Sequence, residues 1–179
     1  MKVGTDGTLL GAWVRLPDTT RSILDIGTGS GLIAIMAAQR SAEAHITAID
    51  IDADCVAQAR LNAEASPWGN RISVQHTPLQ EFTTEERFDV IVSNPPYIAE
   101  KEKVDMEANV LDWEPSIALF VPDEDPLLFY RTIARLGCSM LKEGGALYFE
   151  INRAYGQETI QMLEAMGYKE IELRKDSWG

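Results

Sequence analysis

Ser93-Asn94-Pro95-Pro96-Tyr97 closes an apolar run that reads as a β-strand. Two consecutive prolines cannot donate to a sheet ladder and keep the chain extended. The Asn94 carboxamide and the Pro95 carbonyl can then point together into a crevice beyond the strand's carboxyl end. Two such oxygens can accept from both N–H groups of a planar NH2 group, either a side-chain amide or a nucleobase amine. The nitrogen of such a group is a poor nucleophile because its lone pair is delocalised. Gripping both hydrogens turns that lone pair towards an electrophile, an effect of positioning and electrostatics. No strong general base is needed, since the nitrogen becomes acidic as it is alkylated. Tyr97 supplies a ring of the kind that stacks on amides and bases. Asn94, Pro95, Pro96 and Tyr97 are therefore the candidate catalytic residues.

A second cluster, Asp25-Ile26-Gly27-Thr28-Gly29-Ser30-Gly31, follows an Ile/Leu strand and opens a helix. Backbone amides at such a place, with glycines for close approach, imply a nucleotide-like cofactor. The dinucleotide fingerprint needs its third glycine three places after the second; Leu32 stands there, which disfavours NAD. Asp50 ends the next strand, where an acid accepts from both ribose hydroxyls in folds of this kind, and Asp52 is the alternative.

The elements that must position these groups alternate between Ile/Val-rich runs and stretches of helical period, the pattern of a parallel sheet covered by helices. Strands are expected at residues 22–27, 45–50, 72–76, 88–93 and 145–151, with a last one at 168–176. Helices are expected at residues 32–40, from Asp52 or Ala53 to Ser66-Pro67, and at 155–166. A further helix is expected with Asp125 as N-cap, Pro126 at the first helical position and Gly144-Gly145 past its end. The fold class is α/β, a doubly wound and mostly parallel sheet with helices on both faces. The long connection over residues 99–124, with Met106, Trp113 and Phe120, reads as a lid or binding loop.

With 179 residues the chain suits one domain, and no apolar run approaches the roughly 18 residues of a membrane span. Asp6 and two early glycines stand where a signal peptide would be apolar, so a cytoplasmic location is expected. Cys55 and Cys138 have no metal or disulfide spacing and read as buried thiols. His45 and His76 read as structural, and no metal site is expected. A net charge of −12 disfavours attraction to a phosphate backbone. Oligomeric state is not legible.

The G-x-G-x-G turn with its two acids resembles class I S-adenosylmethionine-dependent methyltransferases along nearly the whole chain. That resemblance implies S-adenosyl-L-methionine as cofactor. Asp25, Gly27, Thr28, Gly29 and Gly31 would hold its methionine part, with Asp50 on the ribose. Ile51, Leu79 and Asn94 complete the implied cofactor residues, with apolar or backbone contacts to adenine because the family's acid after strand three is replaced by His76-Thr77-Pro78-Leu79. Asn-Pro-Pro-Tyr is similar to the motif of amino-group methyltransferases acting on adenine N6, cytosine N4 or glutamine.

Two families are resembled in turn. Residues 1–82, with MKVGTDGTLLGAW and the NAEASPWGNRI stretch, look like bacterial methyltransferases of N6 of adenine 37 in a valine tRNA. From Phe88 on, NPPYIAEKEK, Glu114-Pro115, Ala118-Leu119 and LYFEINRAYG look like release factor glutamine methyltransferases. A chimera joined near residues 82–90 is the expectation. On these resemblances the expectation is a chain that begins at an internal methionine of the first family, without the second's N-terminal recognition domain, and that stops before its last antiparallel strand.

The resemblance leads to glutamine methylation of a peptide chain release factor, with tRNA adenine methylation as the alternative and a cofactor-binding module without turnover as a third reading. Lys2, Arg15 and Arg21 are the nearby cations a tRNA would need, Thr5 and Asp6 are expected on the acceptor side, and Glu114 is read equally as a salt-bridge partner or a substrate contact.

Overall fold

The computed structural model describes residues 4–95, 98–99, 120–121 and 125–175. Its elements are α1 (Thr5–Trp13), β1 (Ser22–Ile26), α2 (Leu32–Arg40), β2 (His45–Asp50), α3 (Ala53–Ala65), β3 (Ile72–His76) and β4 (Phe88–Ser93). Then come β5 (Ile98–Ala99), β6 (Phe120–Val121), α4 (Leu128–Met140), β7 (Leu141–Phe149) and α5 (Gly156–Ala165). The chain divides into two compact units, Met1–Asn94 with Met140–Glu150 and Pro95–Ser139 with Ile151–Gly179.

In the first unit five strands form one sheet in the order β3-β2-β1-β4-β7, each pair parallel. β1 is buried at every position, as a central strand covered on both faces must be, and Ile23, Leu24, Ile46, Ile49 and Ile91 are fully enclosed. A reversal of strand order lies between β1 and β4, and α/β sheets bind ligands in the crevice beyond the carboxyl ends at such a point.

α1 is a helix that the sequence reading missed. Its glycines look like loop residues, yet Gly7 and Gly11 stand four apart on the buried face. A Cβ on Gly11 would lie 2.8 Å from the Met36 sulfur, so the glycine serves close packing of α1 on α2.

β7 starts at Leu141 rather than at residue 145. Leu141 pairs with Phe88, and the register then shifts so that Ala146 pairs with Val90. Gly144, with φ of 76°, and Gly145, whose Cβ would sit 3.0 to 3.2 Å from three carbonyl oxygens, are spent on this bulge instead of on a helix end. Asp89, opposite the bulge, accepts from the amides of Arg21 and Ser22 at 2.8 and 2.9 Å and from Lys142 Nζ at 2.9 Å, tying three strands together at the amino end.

In the second unit β5 and β6 pair in parallel, which joins the two ends of the long connection; the lid expected there falls otherwise outside the described residues. α4 begins at Leu128, past the Asp125 and Pro126 start expected from sequence. The Asp125 carboxylate makes a bidentate pair with Arg131 at 2.7 and 3.0 Å. Cys138, expected to be buried, is exposed near the end of α4. The last strand expected over residues 168–176 does not form among the described residues. Glu170 sits at φ of 55° and breaks the extended run, while Tyr168 Oη turns to donate to Ala134 O at 2.8 Å. Among the described residues no helix is long and apolar enough to cross a membrane.

Candidate active site

The two motifs lie side by side because of sheet register. Ile26 pairs with Ser93, so the glycine turn that begins at Gly27 and the Asn94-Pro95 step leave neighbouring strands at the same level. Ser93 Oγ donates to Ile26 O at 2.8 Å, a fully buried stitch between the two strand ends.

The glycine turn is bonded from within. The amides of Gly27 and Thr28 both donate to Ile49 O, Gly31 N donates to Thr28 O, and Gly29 N donates to Asp50 Oδ2 at 2.8 Å. These amides were expected to face a ligand; instead they fold the turn onto the end of β2. A turn whose amides are so engaged is a poor cradle for a pyrophosphate, which needs them free. Asp50 is 9% exposed, and its other oxygen accepts from Asp52 N at 2.9 Å, leaving each carboxylate oxygen one further lone pair. Asp52, the alternative ribose acid, is instead the N-cap of α3: its Oδ1 accepts from the amides of Asp54 and Cys55 at 2.9 Å.

Asp25 lies behind the turn with no exposed surface, and Thr28 Oγ1 donates to its Oδ2 at 2.6 Å. Burial pushes this carboxyl up to about 7; the Thr28 hydroxyl and the Ala34 amide act against that, and the charge of Asp50 adds to it. Asp25 thus supports the turn from beneath. Ile51, just past β2, is 54% exposed, and Leu79 is half-buried in a short helical turn after β3.

Gly31 has φ of 80°, and a Cβ there would meet Ala59 Cβ at 3.2 Å and Ala59 Cα at 3.3 Å. Gly27 has φ of 68° with nothing within 4 Å of a Cβ. Gly31→Ala is therefore expected to cost roughly 2 kcal/mol, read as a fall of about 4–8 °C in the thermal midpoint. Gly27→Ala carries backbone strain alone and should fall by less; an equal fall would mean that the contact with α3 is slack.

Asn94 Oδ1 is buried and has no hydrogen-bond partner among the described residues. Its Nδ2 lies 3.6 Å from where a Cβ on Gly7 would be, which sets Gly7, next in sequence to Thr5 and Asp6 at the start of α1, beside Asn94. Pro95 is buried. Pro96, Tyr97 and Glu114 lie outside the described residues, as does Lys2.

The family model for the methyltransferase small domain matches residues 7–112. The chain belongs to this family. Similar proteins with curated descriptions include a release factor glutamine methyltransferase of Bacteroides thetaiotaomicron, 50% identical over 91% of this chain and 58% of that protein. A tRNA1(Val) (adenine(37)-N6)-methyltransferase of Phocaeicola vulgatus is 59% identical over 58% of this chain and 43% of that protein. The chain thus spans about half the length of these relatives. Among solved structures, the ribosomal protein L11 methylase of Lactobacillus delbrueckii subsp. bulgaricus has the same fold, with a TM-score of 0.61 at 21% identity over 95% of this chain and 71% of that one. Both families resembled in the sequence are therefore among the relatives, and the α/β fold expected from the strand pattern is that of the family.

Sequence reasoning missed Asn62, which reaches the turn from α3, and the pairing of Asp25 with Thr28. The signal for Asn62 was its place three residues after Ala59, on the same helical face.

Proposed function

We propose that this chain is an S-adenosylmethionine-dependent N-methyltransferase acting on a planar NH2 group, with the glutamine side chain of a peptide chain release factor as acceptor. The observation that carries the reading is the buried, unpartnered Asn94 Oδ1 at the carboxyl end of β4, one residue beyond the stitch to β1. A buried acceptor without a donor costs stability, and a fold that keeps one commonly has a ligand donor to meet it.

The cofactor fits the residues present. Turn amides engaged within the protein, next to Asp25 and Asp50, suit a positively charged cofactor without phosphates better than a dinucleotide. Gly27, Thr28, Gly29 and Gly31 would shape its seat, Asp50 would take ribose hydroxyls on its remaining lone pairs, and Ile51 with Leu79 would cover the base. When bound, S-adenosylmethionine supplies an electrophilic methyl group on a sulfonium.

The chain's own part is to hold the acceptor. Asn94 Oδ1 and the Pro95 carbonyl accept from the two N–H groups and so aim the nitrogen lone pair, and stacking on the acceptor plane is the role that the residue type of Tyr97 suits. Thr5 and Asp6 flank the acceptor side. The proton leaves to water once the nitrogen is alkylated and acidic. On this reading residues 1–179 serve as one catalytic domain in the cytoplasm, where release factors and tRNA are found.

Adenine N6-methylation of tRNA is the second reading, favoured by the identity of 59% to the Phocaeicola vulgatus protein over a shorter stretch. A net charge of −12 argues against it, since binding to nucleic acid draws on Lys and Arg at phosphates. The test offers purified release factor and unmodified tRNA in parallel with methyl-labelled cofactor, and measures cofactor binding by calorimetry. Label on the release factor is expected; label on tRNA alone hands the assignment to the second reading, and binding without label on either leaves a cofactor-binding module.

A further inference from the structure

We infer that Asn62, on α3, is a positioning residue for the cofactor turn, and that Gln58 orients it. The inference rests on the proposed S-adenosylmethionine site and adds residues outside the turn itself. Asn62 Nδ2 donates to Ser30 O at 2.8 Å, and Gln58 Nε2 donates to Asn62 Oδ1 at 2.9 Å. The relay thus runs from a surface amide, through a half-buried one, to the backbone of the turn.

The Ser30 carbonyl is the place where such a donor matters. The peptide that joins Ser30 to Gly31 is held on one side by Asn62 at its oxygen and on the other by its own N–H, which donates to Thr28 O at 2.9 Å. Its neighbours Gly29 and Gly31 have φ of 55° and 80°, and glycines pass between backbone regions at little cost. Left with one tether, this peptide could rotate and take the Gly29–Asp50 bond with it. Asn62 pins it in the orientation that keeps Asp50 drawn to the turn. Ala59, one helical turn back on the same face, touches the space beside Gly31, so α3 meets the turn with a wall at one residue and a hydrogen bond at the next.

Neither Asn62 nor Gln58 is needed to start or stop α3. Asp52 caps its amino end and Ser66 closes its carboxyl end, so both amides can be replaced within an intact helix. Loss of one neutral hydrogen bond to a pre-set loop corresponds to about tenfold in affinity.

The experiment compares wild type, Asn62→Leu and Gln58→Ala by calorimetric binding of S-adenosylmethionine, thermal midpoint, and steady-state transfer. Asn62→Leu is expected to raise the cofactor Kd and KM about tenfold and leave kcat at saturating cofactor within about twofold. Gln58→Ala should raise Kd two- to threefold. Unchanged cofactor Kd in Asn62→Leu overturns the inference, as does a kcat loss equal to the KM change. Should Asn62→Leu fail to fold, Gln58→Ala decides: no change in Kd overturns the relay. Wild type that does not bind S-adenosylmethionine would overturn the proposed cofactor and this inference with it, whereas wild type that binds it while Asn62→Leu binds equally well would overturn this inference alone.

Discussion

Replacing Asn94 by Ala is expected to cut methyl transfer by roughly 10²–10³-fold while S-adenosylmethionine binds within a few fold of wild type. The structure also gives the direction of the stability change. Asn94 Oδ1 is buried without a donor, so truncation removes no native hydrogen bond at that atom and relieves a buried, unsatisfied acceptor. The packing lost is a contact with the first turn of α1 near Gly7. The variant's thermal midpoint should therefore equal or exceed that of wild type, with activity gone. That combination is what a group kept for a ligand, at a cost to the fold, produces. Calorimetry, thermal melts and single-turnover transfer on one preparation read all three quantities. Equal losses of cofactor affinity and transfer would show that Asn94 serves the cofactor, and a large fall in midpoint would show that it serves the fold.

What could be read from the sequence divides along a physical line. Strands β2, β3 and β4 and helix α2 lie where apolar runs and helical period put them, because each buries a face against the central sheet and the pattern records that burial. Elements whose residues answer to close contact were not legible. Gly7 and Gly11 make α1 look like a loop, although Gly11 lets Met36 approach and Gly7 stands beside Asn94 and Leu32, and Gly144 and Gly145 look like a helix end while serving the bulge in β7. The tail after α5 has the alternation of a strand, but alternation cannot foresee a residue such as Glu170 in the left-handed region. The site shows the same division. Asn94, Asp50 and the glycine turn announce themselves by type and spacing. That the turn's amides would be used up by Ile49 O and Asp50, and that Asp25 would hide beneath Thr28, depends on which bonds close in three dimensions.

The buried position of Asp25 leads to a prediction about pH. Its carboxyl titrates at about 7 in the folded protein against 3.8 for an ordinary aspartate, the largest cause being burial. The unfolded chain therefore loses this proton near pH 4 while the folded one keeps it to about pH 7. Between those values the folded state binds more protons, so stability falls as pH rises, and above the folded value it levels off. A difference of this size amounts to on the order of 4 kcal/mol across the window. Other shifted aspartates do not act there. The Cys55 amide holds Asp52 low and Arg131 holds Asp125 low; at Asp89, Lys142 and the amides of Arg21 and Ser22 outweigh a burial cost and also leave it low. Their contributions are complete by about pH 4.

Denaturant midpoints measured from pH 4.5 to 8.5 should fall through pH 5–7 in wild type, and Asp25→Asn should flatten that slope. Stability that is flat or rising over the window in wild type, or a slope kept in the Asn variant, would refute the assignment. The proposed cofactor tests it from the other side. A sulfonium and an ammonium seated at the turn favour the ionised carboxyl, so cofactor affinity should rise between pH 6 and 8, with a proton released on binding at pH 6. The hydrogen bond from Thr28 would then join to a charged partner and tighten the turn on the ligand that ionised it.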